Sequence, residues 1–460
     1  MLARRSHARW IRVPGKRYRD DSCGCRHSVV SHCRLAGSRR TIPAERFGRR
    51  NRPPIAVTPP VDELEGVPVS SASADHPRDG LGPDLGKVFG PSHADGGPEL
   101  VQLLTPEGEL REHPDFSFDG SIEDVRGFYR DLVLTRRVDT EATALQRQGE
   151  LGIWAQMLGQ EAAQIGSGRA LLPQDMAFPT YREHGVAWCR GVDPLNLLGL
   201  FRGVDQGAWD PRDNNFGLYT IVIGAQTLHA TGYAMGMQRD GVVGTGDPER
   251  DAAVIAYFGD GATSQGDVNE AFIFASVFNS PTVFFCQNNQ WAISEPIERQ
   301  SRIPLYQRAL GFGFPGIRGD GNDVLACHAV TKAALERARE GSGPTFVEAY
   351  TYRMGAHTTT DDPTRYRLSD DLEHWKLKDP IARVEAYLKR GGHADDAFFA
   401  DVQVESEGVA ERLREGCRSM PDPHILDIFE QVYAEQTPEL ALQKQEYAAY
   451  LDSFEGAAQS

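Results

Sequence analysis

The sequence lacks any long apolar run and, over most of its length, lacks an excess of basic residues. No stretch approaches the about 18 apolar residues of a membrane-spanning helix, so we expect no membrane partner. Of the 49 Lys and Arg and 65 Asp and Glu in the chain, the first 52 residues hold 15 and 3. The remaining chain is therefore strongly acidic. An acidic body argues against nucleic acid as the main ligand and is typical of a soluble metabolic enzyme or a complex subunit.

Cysteine is scarce, and its spacing is not that of a metal site. The seven cysteines are Cys23, Cys25, Cys33, Cys189, Cys286, Cys327 and Cys417. The first three lack the paired spacing of a zinc site. The other four are scattered, and two of them fall inside apolar segments. We expect reduced core thiols in a cytoplasmic protein.

Residues 1–95 lack apolar periodicity, and we expect a disordered tail and linker there. The first 50 are rich in Arg and have no hydrophobic region of a secretory signal. One interpretation is a mitochondrial transit peptide, which would place the protein in the mitochondrial matrix. The interpretation that we prefer is a mis-assigned start or a disordered bacterial tail, with the protein in the cytoplasm. We expect an α/β domain over 96–378 and a C-terminal helical region over 379–460.

The chain is organised around the segment 259–289. A buried strand, AVIAYF, leads into Gly-Asp-Gly, and a helix predicted over 268–279 ends before Pro281. A second buried strand, TVFFC, leads towards two asparagines. In such a βαβ unit both strands point their carboxyl ends at one sheet edge, where small ligands bind, so Asp260 and Asn289 should meet there. One carboxylate and one amide oxygen suit a Mg²⁺ that completes its shell with phosphate oxygens and water.

Strands and helices alternate over 160–356, which predicts a doubly wound, mainly parallel sheet with helices on both faces. Two further loops should reach the same edge. The loop TYREHG offers Arg182, whose guanidinium is well matched to a diphosphate, although taken alone a polar strand-to-helix turn is the more common use of such residues. The loop MGAHTTTDD offers His357, although a single histidine in a loop is usually solvated. We also expect this loop, over 353–367, to be mobile because it has little to bury.

From about residue 116 to 451 the chain resembles a known family. The motifs that carry the resemblance are TYREHG, IVIGAQ, YFGDGATSQGD, FFCQNNQWAIS, RGDGNDV and TYRMGAHTTTDDPTRYR, in the order that the family has them. The segment from Gly-Asp-Gly to Asn-Asn resembles the thiamin-diphosphate fingerprint. The whole is similar to the alpha subunit of the thiamin-dependent decarboxylase component of 2-oxo acid dehydrogenase complexes, with the branched-chain type the nearest.

The resemblance implies a set of site residues. It implies Mg²⁺ ligands from the side chains of Asp260 and Asn289 and from the backbone carbonyl of Trp291. It implies that backbone near Ile221 and Ile223 faces the aminopyrimidine of thiamin diphosphate. Seven residues are implied to contact thiamin diphosphate elsewhere: Tyr181, Arg182, Gly259, Gly261, Ala262, Arg353 and His357. It also implies that His357 is catalytic and helps to pass the acyl group to a lipoyl arm, with Asp361 and Arg365 ordering its loop.

Within the family, the resemblance leaves the substrate open among three classes. The C-terminal PHILDIFEQVYAEQTPEL and the motif around His357 look more like branched-chain 2-oxo acid enzymes than like pyruvate enzymes, and acetoin dehydrogenase subunits share the motifs. Three departures stand out. Thr358 replaces the serine of animal branched-chain enzymes, Gln287 replaces an arginine of some relatives, and Ala225 does not match the family's potassium site.

The resemblance also implies partners. The family's cofactor is activated by a glutamate, and no motif for one occurs in this chain, because the family supplies it from a beta subunit. We therefore predict an alpha2-beta2 heterotetramer that is inactive as the alpha chain alone. The acyl group would pass to the lipoyl acyltransferase core of the complex. The Gly- and Ala-rich helix over 228–237 is a candidate interface element.

Overall fold

The computed structural model describes residues 100–457, apart from 206, 208, 368 and 431. The tail and linker predicted over 1–95 therefore lie outside the described residues. The described chain opens with an extended arm in which Val101 pairs with Gly319 at the sheet edge. A bridge between Leu104 and Leu110 closes a short hairpin in this arm.

Five parallel strands make the main sheet. They are β1 (Met176–Phe178), β2 (Val254–Gly259), β3 (Thr282–Asn288), β6 (Gly316–Asp320) and β7 (Thr345–Tyr350). Their order across the sheet is β1-β2-β3-β7-β6. The strands β4 (Trp291–Ala292) and β5 (Glu295–Pro296) form a separate antiparallel hairpin. The predicted parallel sheet is confirmed, and β2 pairs with β3 up to Gly259 and Gln287, so both strands end at one edge.

Helices cover both faces of the sheet. In chain order they are α1 (Ile122–Arg147), α2 (Glu161–Arg169), α3 (His184–Cys189), α4 (Pro194–Arg202), α5 (Pro211–Asn214), α6 (Ala225–Arg239), α7 (Gly266–Val277), α8 (Ile297–Gln300), α9 (Arg308–Phe312), α10 (Val324–Arg339), α11 (Ser369–Lys376), α12 (Pro380–Arg390), α13 (Asp396–Ser419) and α14 (Pro438–Ala457). Short 3₁₀ helices occur at Asp260–Ser264, Leu305–Gln307, Pro363–Arg365 and Asp427–Phe429. The crossover from β2 to β3 is α7, and that from β6 to β7 is α10.

Alternate residues of each central strand enter two separate cores, because successive side chains of a strand point to opposite faces. One core takes Ile255, Tyr257, Val283, Phe285 and Val347 and lies under α1, α2 and α10. The other takes Val254, Ala256, Phe258, Phe284, Cys286 and Phe346 and lies under α6 and α7. Strands buried on both faces account for the near-continuous apolar runs in the sequence.

Side-chain caps define the starts of two of the helices. Ser121 caps α1 through a capping box with Asp124. Asp323 caps α10 and accepts hydrogen bonds from the backbone N–H groups of Leu325 and Ala326. The prediction for α7 was two residues late, because the helix ends at Val277, before a left-handed Asn279, and not at Pro281.

The C-terminal helices contact the first helix of the described chain. Both α12 and α13 pack against α1, whereas α14 packs near the 3₁₀ turn at 427–429. The domain boundary predicted at 378 stays a prediction. The described cysteines are free, with Cys286, Cys327 and Cys417 buried and Cys189 partly buried. Within the ranges given above, no helix is long and apolar enough to cross a membrane.

Candidate functional site

A cavity of about 260 Å³ opens at the carboxyl ends of β2 and β3. The loops that follow these strands form its floor, the loop 180–183 forms one wall, and the β4–β5 hairpin with His357 forms another. Ten residues predicted for the site line this cavity: Tyr181, Arg182, Ile223, Gly259, Asp260, Gly261, Ala262, Asn289, Trp291 and His357. The topology thus brings together groups that are far apart in sequence, as expected for the edge of an open α/β sheet.

Asp260 is a buried carboxylate with one unused oxygen. It is the first residue of the 3₁₀ turn that follows β2. Its Oδ2 accepts a hydrogen bond from Nε2 of Gln300 at 2.9 Å, whereas its buried Oδ1 has no partner among the described residues. Burial raises the pKa of Asp260 to about 6. A buried acceptor without a donor is rare, and a carboxylate oxygen in this position is chemically suited to a cation.

The two other predicted metal ligands lie directly after β3. Asn289 is buried, its Oδ1 accepts the Trp291 backbone N–H at 3.2 Å, and its Nδ2 donates to Oε1 of Gln160 at 3.0 Å. The carbonyl of Trp291 accepts a hydrogen bond from Nη1 of Arg353 at 3.2 Å. Each of these oxygens keeps one lone pair for a cation. No cluster of three His, Cys, Asp or Glu side chains suited to a metal occurs in the described part of the chain. Among the three predicted metal ligands, only Asp260 carries a charge.

The glycines beside Asp260 differ in what they permit. A Cβ on Gly261 would lie 2.7 Å from Cβ of Ala292 in the β4–β5 hairpin, whereas one on Gly259 would meet nothing within 4 Å. Both glycines were predicted to contact thiamin diphosphate, and a residue without a Cβ lets backbone approach such a ligand closely. For Gly261 the structure gives a second reason, which is the close packing of the hairpin that carries Trp291.

Arg182 is buried in the cavity wall, and its guanidinium holds two backbone carbonyls. It donates to the carbonyl of Gln156, and its Nη2 donates to the carbonyl of His357 at 2.8 Å. The ring of Tyr181 lies 6.3 Å from that of His357, edge to face. Arg182 and Tyr181 therefore lie beside His357, and the Arg182 charge faces no carboxylate in these contacts. The contacts of Tyr181 and Arg182 with a diphosphate stay predictions.

The ring of His357 faces two guanidiniums. Its Nδ1 lies 3.2 Å from Nη2 of Arg182 and 3.5 Å from Nη1 of Arg353. Guanidinium groups can only donate, so Nδ1 must carry a lone pair, and the neutral ring carries its proton on Nε2. Burial and the two arginines lower the pKa of His357 to about 3. His357 is thus a neutral hydrogen-bond donor at the cavity.

Two predicted cofactor residues do not line the cavity. Ile221 is 64% exposed and lies outside it, beside exposed Val222. Arg353 is fully buried behind the β4–β5 hairpin, where its Nη2 donates to the carbonyl of Ile293 at 2.7 Å and to Oη of Tyr366 at 2.8 Å. Through these hydrogen bonds Arg353 holds the backbone beside the site in place. Its contact with a diphosphate stays a prediction.

The loop that carries His357 is tied down by several hydrogen bonds. Asp361 accepts the His357 backbone N–H at 2.8 Å and the hydroxyl proton of Tyr366. Arg367 donates to the carbonyls of Met354 and Gly355 at 3.0 and 3.1 Å. Asp361 thus orders the loop as predicted, but Arg367 has the contacts that were expected of Arg365. The mobility expected of this loop stays a prediction.

Replacing Tyr366 with phenylalanine tests this arrangement. Tyr366→Phe removes the hydroxyl that joins Arg353 to Asp361, at a cost of about 1 to 3 kcal/mol in local stability. We expect faster amide hydrogen exchange over residues 355–367 and no comparable change in the strands. Thr364→Val, which alters a hydroxyl that contacts only Asp362 in the same loop, is the control. Equal protection in Tyr366→Phe and the wild type would show that the hydroxyl does not order the loop.

The wall behind Arg182 is anchored by Asp139 of α1. Its buried Oδ1 accepts Nε1–H of Trp154 at 2.8 Å and the backbone N–H of Met157 at 3.1 Å, which fixes the segment that includes Gln156. Burial raises the pKa of Asp139 to about 6. Because the pKa is raised above its unfolded value of about 3.9, its contribution to stability is present below that value and is lost as the pH rises through about 6.

We therefore expect Asp139→Asn to stabilise the chain at pH 8, by about 1 to 3 kcal/mol, and to have little effect near pH 4. The amide oxygen can keep both hydrogen bonds without the buried charge. Asp139→Leu, which leaves two buried N–H groups unpaired, should destabilise the chain at both pH values. Urea unfolding at pH 4.5 and pH 8 measures both variants. A stability loss in Asp139→Asn at pH 8 would contradict the assignment of a buried-charge penalty.

A chain of buried polar side chains under the cavity was not predicted. Nε2 of Gln164 donates to Oε1 of Gln287 at 3.1 Å and to the carbonyl of Arg182 at 3.0 Å. Nε2 of Gln287 donates to Oε1 of Glu183 at 2.6 Å, and Oε2 of Glu183 accepts from the backbone and hydroxyl of Thr180. The only signal in the sequence was the departure at Gln287. The network fixes the loop that carries Arg182 against the end of β3.

The fold and the site together define the class of protein. It is a doubly wound α/β protein with a polar cavity at the carboxyl edge of its sheet, where a carboxylate, an amide and a carbonyl are suited to a divalent cation. Comparison with known sequences then gives the family. The pattern described as "Dehydrogenase E1 component" matches residues 129–424. The chain belongs to the dehydrogenase E1 component family, in which its relatives are alpha subunits, and the resemblance of the motifs is confirmed.

Individual relatives fall into two named activities. The chain is 44% identical over 354 residues to "3-methyl-2-oxobutanoate dehydrogenase subunit alpha" of Mycobacterium tuberculosis, which covers 77% of this chain and 94% of the relative. It is 38% identical over 331 residues to "Pyruvate dehydrogenase E1 component subunit alpha" of Acholeplasma laidlawii, covering 70% and 92%. The subunit of the same name from Bacillus cereus is 37% identical over 355 residues, covering 76% and 92%.

Proposed function

We propose that the chain is the alpha subunit of an enzyme that oxidatively decarboxylates branched-chain 2-oxo acids with thiamin diphosphate and Mg²⁺, and transfers the acyl group to lipoyl-lysine. The observation that carries the cofactor proposal is the buried Oδ1 of Asp260, which has no partner among the described residues and lies beside Asn289 at the cavity. The substrate proposal rests on the 3-methyl-2-oxobutanoate dehydrogenase subunit of Mycobacterium tuberculosis. It is 44% identical to this chain, whereas the pyruvate dehydrogenase subunit of Acholeplasma laidlawii is 38% identical.

The residues present fit the proposed cofactor. Asp260, Asn289 and the Trp291 carbonyl would hold Mg²⁺, which prefers oxygen ligands. Tyr181, Arg182 and His357, which form the cationic and hydrogen-bond-donating side of the cavity, would lie towards the diphosphate. The cofactor, when bound, supplies the carbon chemistry of decarboxylation, and the protein supplies binding and orientation.

The chain's own residues act through charge and position. The Arg182 guanidinium is buried and held by two carbonyls, so it offers a fixed positive charge to an anion. Nε2–H of His357 is a donor whose orientation is set by the arginines on Nδ1. Ile223 gives the cavity an apolar wall near its mouth. These groups bind and orient an anionic ligand without moving a proton through this chain.

A second chain must complete the site. Two carboxylates line the cavity, Asp260 and Glu183, and Glu183 is already bonded to Thr180 and Gln287. No other acid is left among the described lining residues to activate the cofactor. This supports a beta subunit as the source of that acid, in an alpha2-beta2 heterotetramer, with a lipoyl acyltransferase core as the acceptor. The cytoplasmic location is part of the same proposal.

The surface beside the cavity mouth suits such a partner. Ile221, Val222 and Ile223 are exposed there and lead directly into α6. On α6, a Cβ at Gly232 or Gly236 would meet nothing within 4 Å, so both glycines lie on a free face of the helix. Small residues on an exposed helix face let another backbone approach closely, which supports the predicted interface over 228–237.

The experiment compares this chain alone with the chain purified together with a beta subunit. We expect Mg²⁺-dependent binding of thiamin diphosphate by calorimetry and decarboxylation only in the complex. An artificial electron acceptor then allows 3-methyl-2-oxobutanoate, pyruvate and acetoin to be compared. A higher kcat/KM for pyruvate would favour pyruvate dehydrogenase, the second candidate, which the relatives at 37% and 38% identity support. Full activity of the chain alone would refute the two-chain site.

A further inference from the structure

The carboxylate of Asp260 is held from one side by a single side chain. Its Oδ2 accepts Nε2–H of Gln300 at 2.9 Å, while its buried Oδ1 is left without a partner among the described residues. A carboxylate can rotate, so the donor that occupies one oxygen decides which oxygen faces the cavity. Gln300 is that donor here.

The amide of Gln300 has only one orientation that satisfies its contacts. Its Nε2 also lies 3.2 Å from the backbone carbonyl of Glu295, and both neighbours are acceptors, so the NH₂ end must face them. Gln300 is the last residue of α8, whose first residue, Ile297, donates its N–H to the carbonyl of Gln290 at 3.1 Å. The side chain therefore joins Asp260 to the segment that starts directly after Asn289.

Packing around the turn limits other positions for this side chain. A Cβ on Gly261 would lie 3.6 Å from Oε1 of Gln300 and 2.7 Å from Cβ of Ala292. The 3₁₀ turn, the β4–β5 hairpin and Gln300 are thus in contact around one glycine. Ala292 follows Trp291 in the hairpin. A shift of Gln300 would therefore displace both the Asp260 carboxylate and the hairpin that carries the Trp291 carbonyl, the predicted ligand.

We propose that Gln300 is a positioning residue of the cation site, which presents Oδ1 of Asp260 to the metal and holds the Trp291 hairpin against it. The inference rests on the proposed function. Groups that orient metal ligands without touching the metal typically contribute about 10- to 100-fold in metal affinity. No motif singles out Gln300 in the sequence, and its role follows from these contacts alone.

The test is Gln300→Met, which keeps the length of the side chain and removes its donor. The variant is purified with the beta subunit, and Mn²⁺ binding is followed by electron paramagnetic resonance at saturating thiamin diphosphate. We expect Mn²⁺ affinity to fall about 10- to 100-fold, with kcat restored towards the wild-type value at high Mg²⁺. A merely structural role would lower thermal stability without this metal-dependent recovery. Arg299→Met, on the same helix and 74% exposed, is the control and should bind Mn²⁺ like the wild type.

The outcomes separate this inference from the proposed function. Wild-type Mn²⁺ affinity in Gln300→Met overturns the role of Gln300 and leaves the proposed function intact. A wild-type complex that binds no Mn²⁺ with thiamin diphosphate overturns both. Should Gln300→Met fail to fold, Gln300→Asn decides by the same criterion, because it keeps the amide but is one methylene too short for the contact with Asp260.

Discussion

Asp260→Asn is expected to weaken Mg²⁺-dependent cofactor binding strongly while leaving the metal-free chain at least as stable as the wild type. Removing one partner of a buried charged contact costs about 3 to 5 kcal/mol, or a fall of roughly 100- to 5,000-fold in Mg²⁺-dependent affinity for thiamin diphosphate. Stability should move the other way. The buried Oδ1 has no partner in the described structure, and the pKa of about 6 reflects the cost of its charge.

Calorimetry with and without Mg²⁺ measures the binding, and urea unfolding at pH 8 without Mg²⁺ measures the stability. Asp267→Asn is a suitable control, since Asp267 lies in the first turn of α7 and is exposed. If Asp260→Asn binds the cofactor with an affinity within threefold of that of the wild type, Asp260 is not a ligand in the site. A lower stability without metal would show that Oδ1 of Asp260 also has a partner within the protein.

The second large effect is expected at His357. A donor aimed at developing charge contributes about 100- to 1,000-fold to a rate, so we expect His357→Ala to lower acyl transfer to a lipoyl domain by that factor. The assignment of the proton to Nε2 sharpens this expectation. His357→Gln can place an N–H near the position of Nε2, whereas His357→Asn reaches only the position of Nδ1, where two guanidiniums already donate. Gln should therefore retain more activity than Asn.

Two assays distinguish decarboxylation from acyl transfer. Reduction of an artificial acceptor reports decarboxylation, and mass spectrometry of a lipoyl domain reports acyl transfer. We expect the larger loss in the second assay. Thr358→Val is the control, because the Thr358 hydroxyl contacts only Thr360 among the described side chains. Equal activity of the Asn and Gln variants would argue against a role for the Nε2 proton.

Much of the site could be predicted because its signals are local. The strand, helix and strand of 254–288 have clear apolar patterns, and a parallel βαβ unit brings the strand ends together. The roles of Gln300 and Gln287 could not be predicted in this way. Their partners lie 40 and 104 residues away, at Asp260 and Glu183, and a single glutamine in a polar segment has no pattern of its own.

Arg353 shows which contacts of a motif residue only the structure supplies. The motif predicts a contact with the diphosphate, which stays a prediction, and the structure adds hydrogen bonds from the guanidinium to the carbonyls of Trp291 and Ile293 and to the hydroxyl of Tyr366. A motif fixes where a residue lies in the chain. It does not state which of several nearby acceptors a long side chain reaches, because that depends on the hairpin at 291–296.

The order of the strands has a consequence for how the chain is made. β7 is the last strand in sequence, but it pairs with both β3 and β6 in the interior of the sheet. During synthesis, β1, β2 and β3 emerge first and present an unpaired edge until residue 350 has left the ribosome. Unpaired edges invite aggregation, and pairing between distant strands is slow. Nascent chains of this protein should therefore depend on chaperones until β7 inserts, and the ligand edge of the sheet is completed only then.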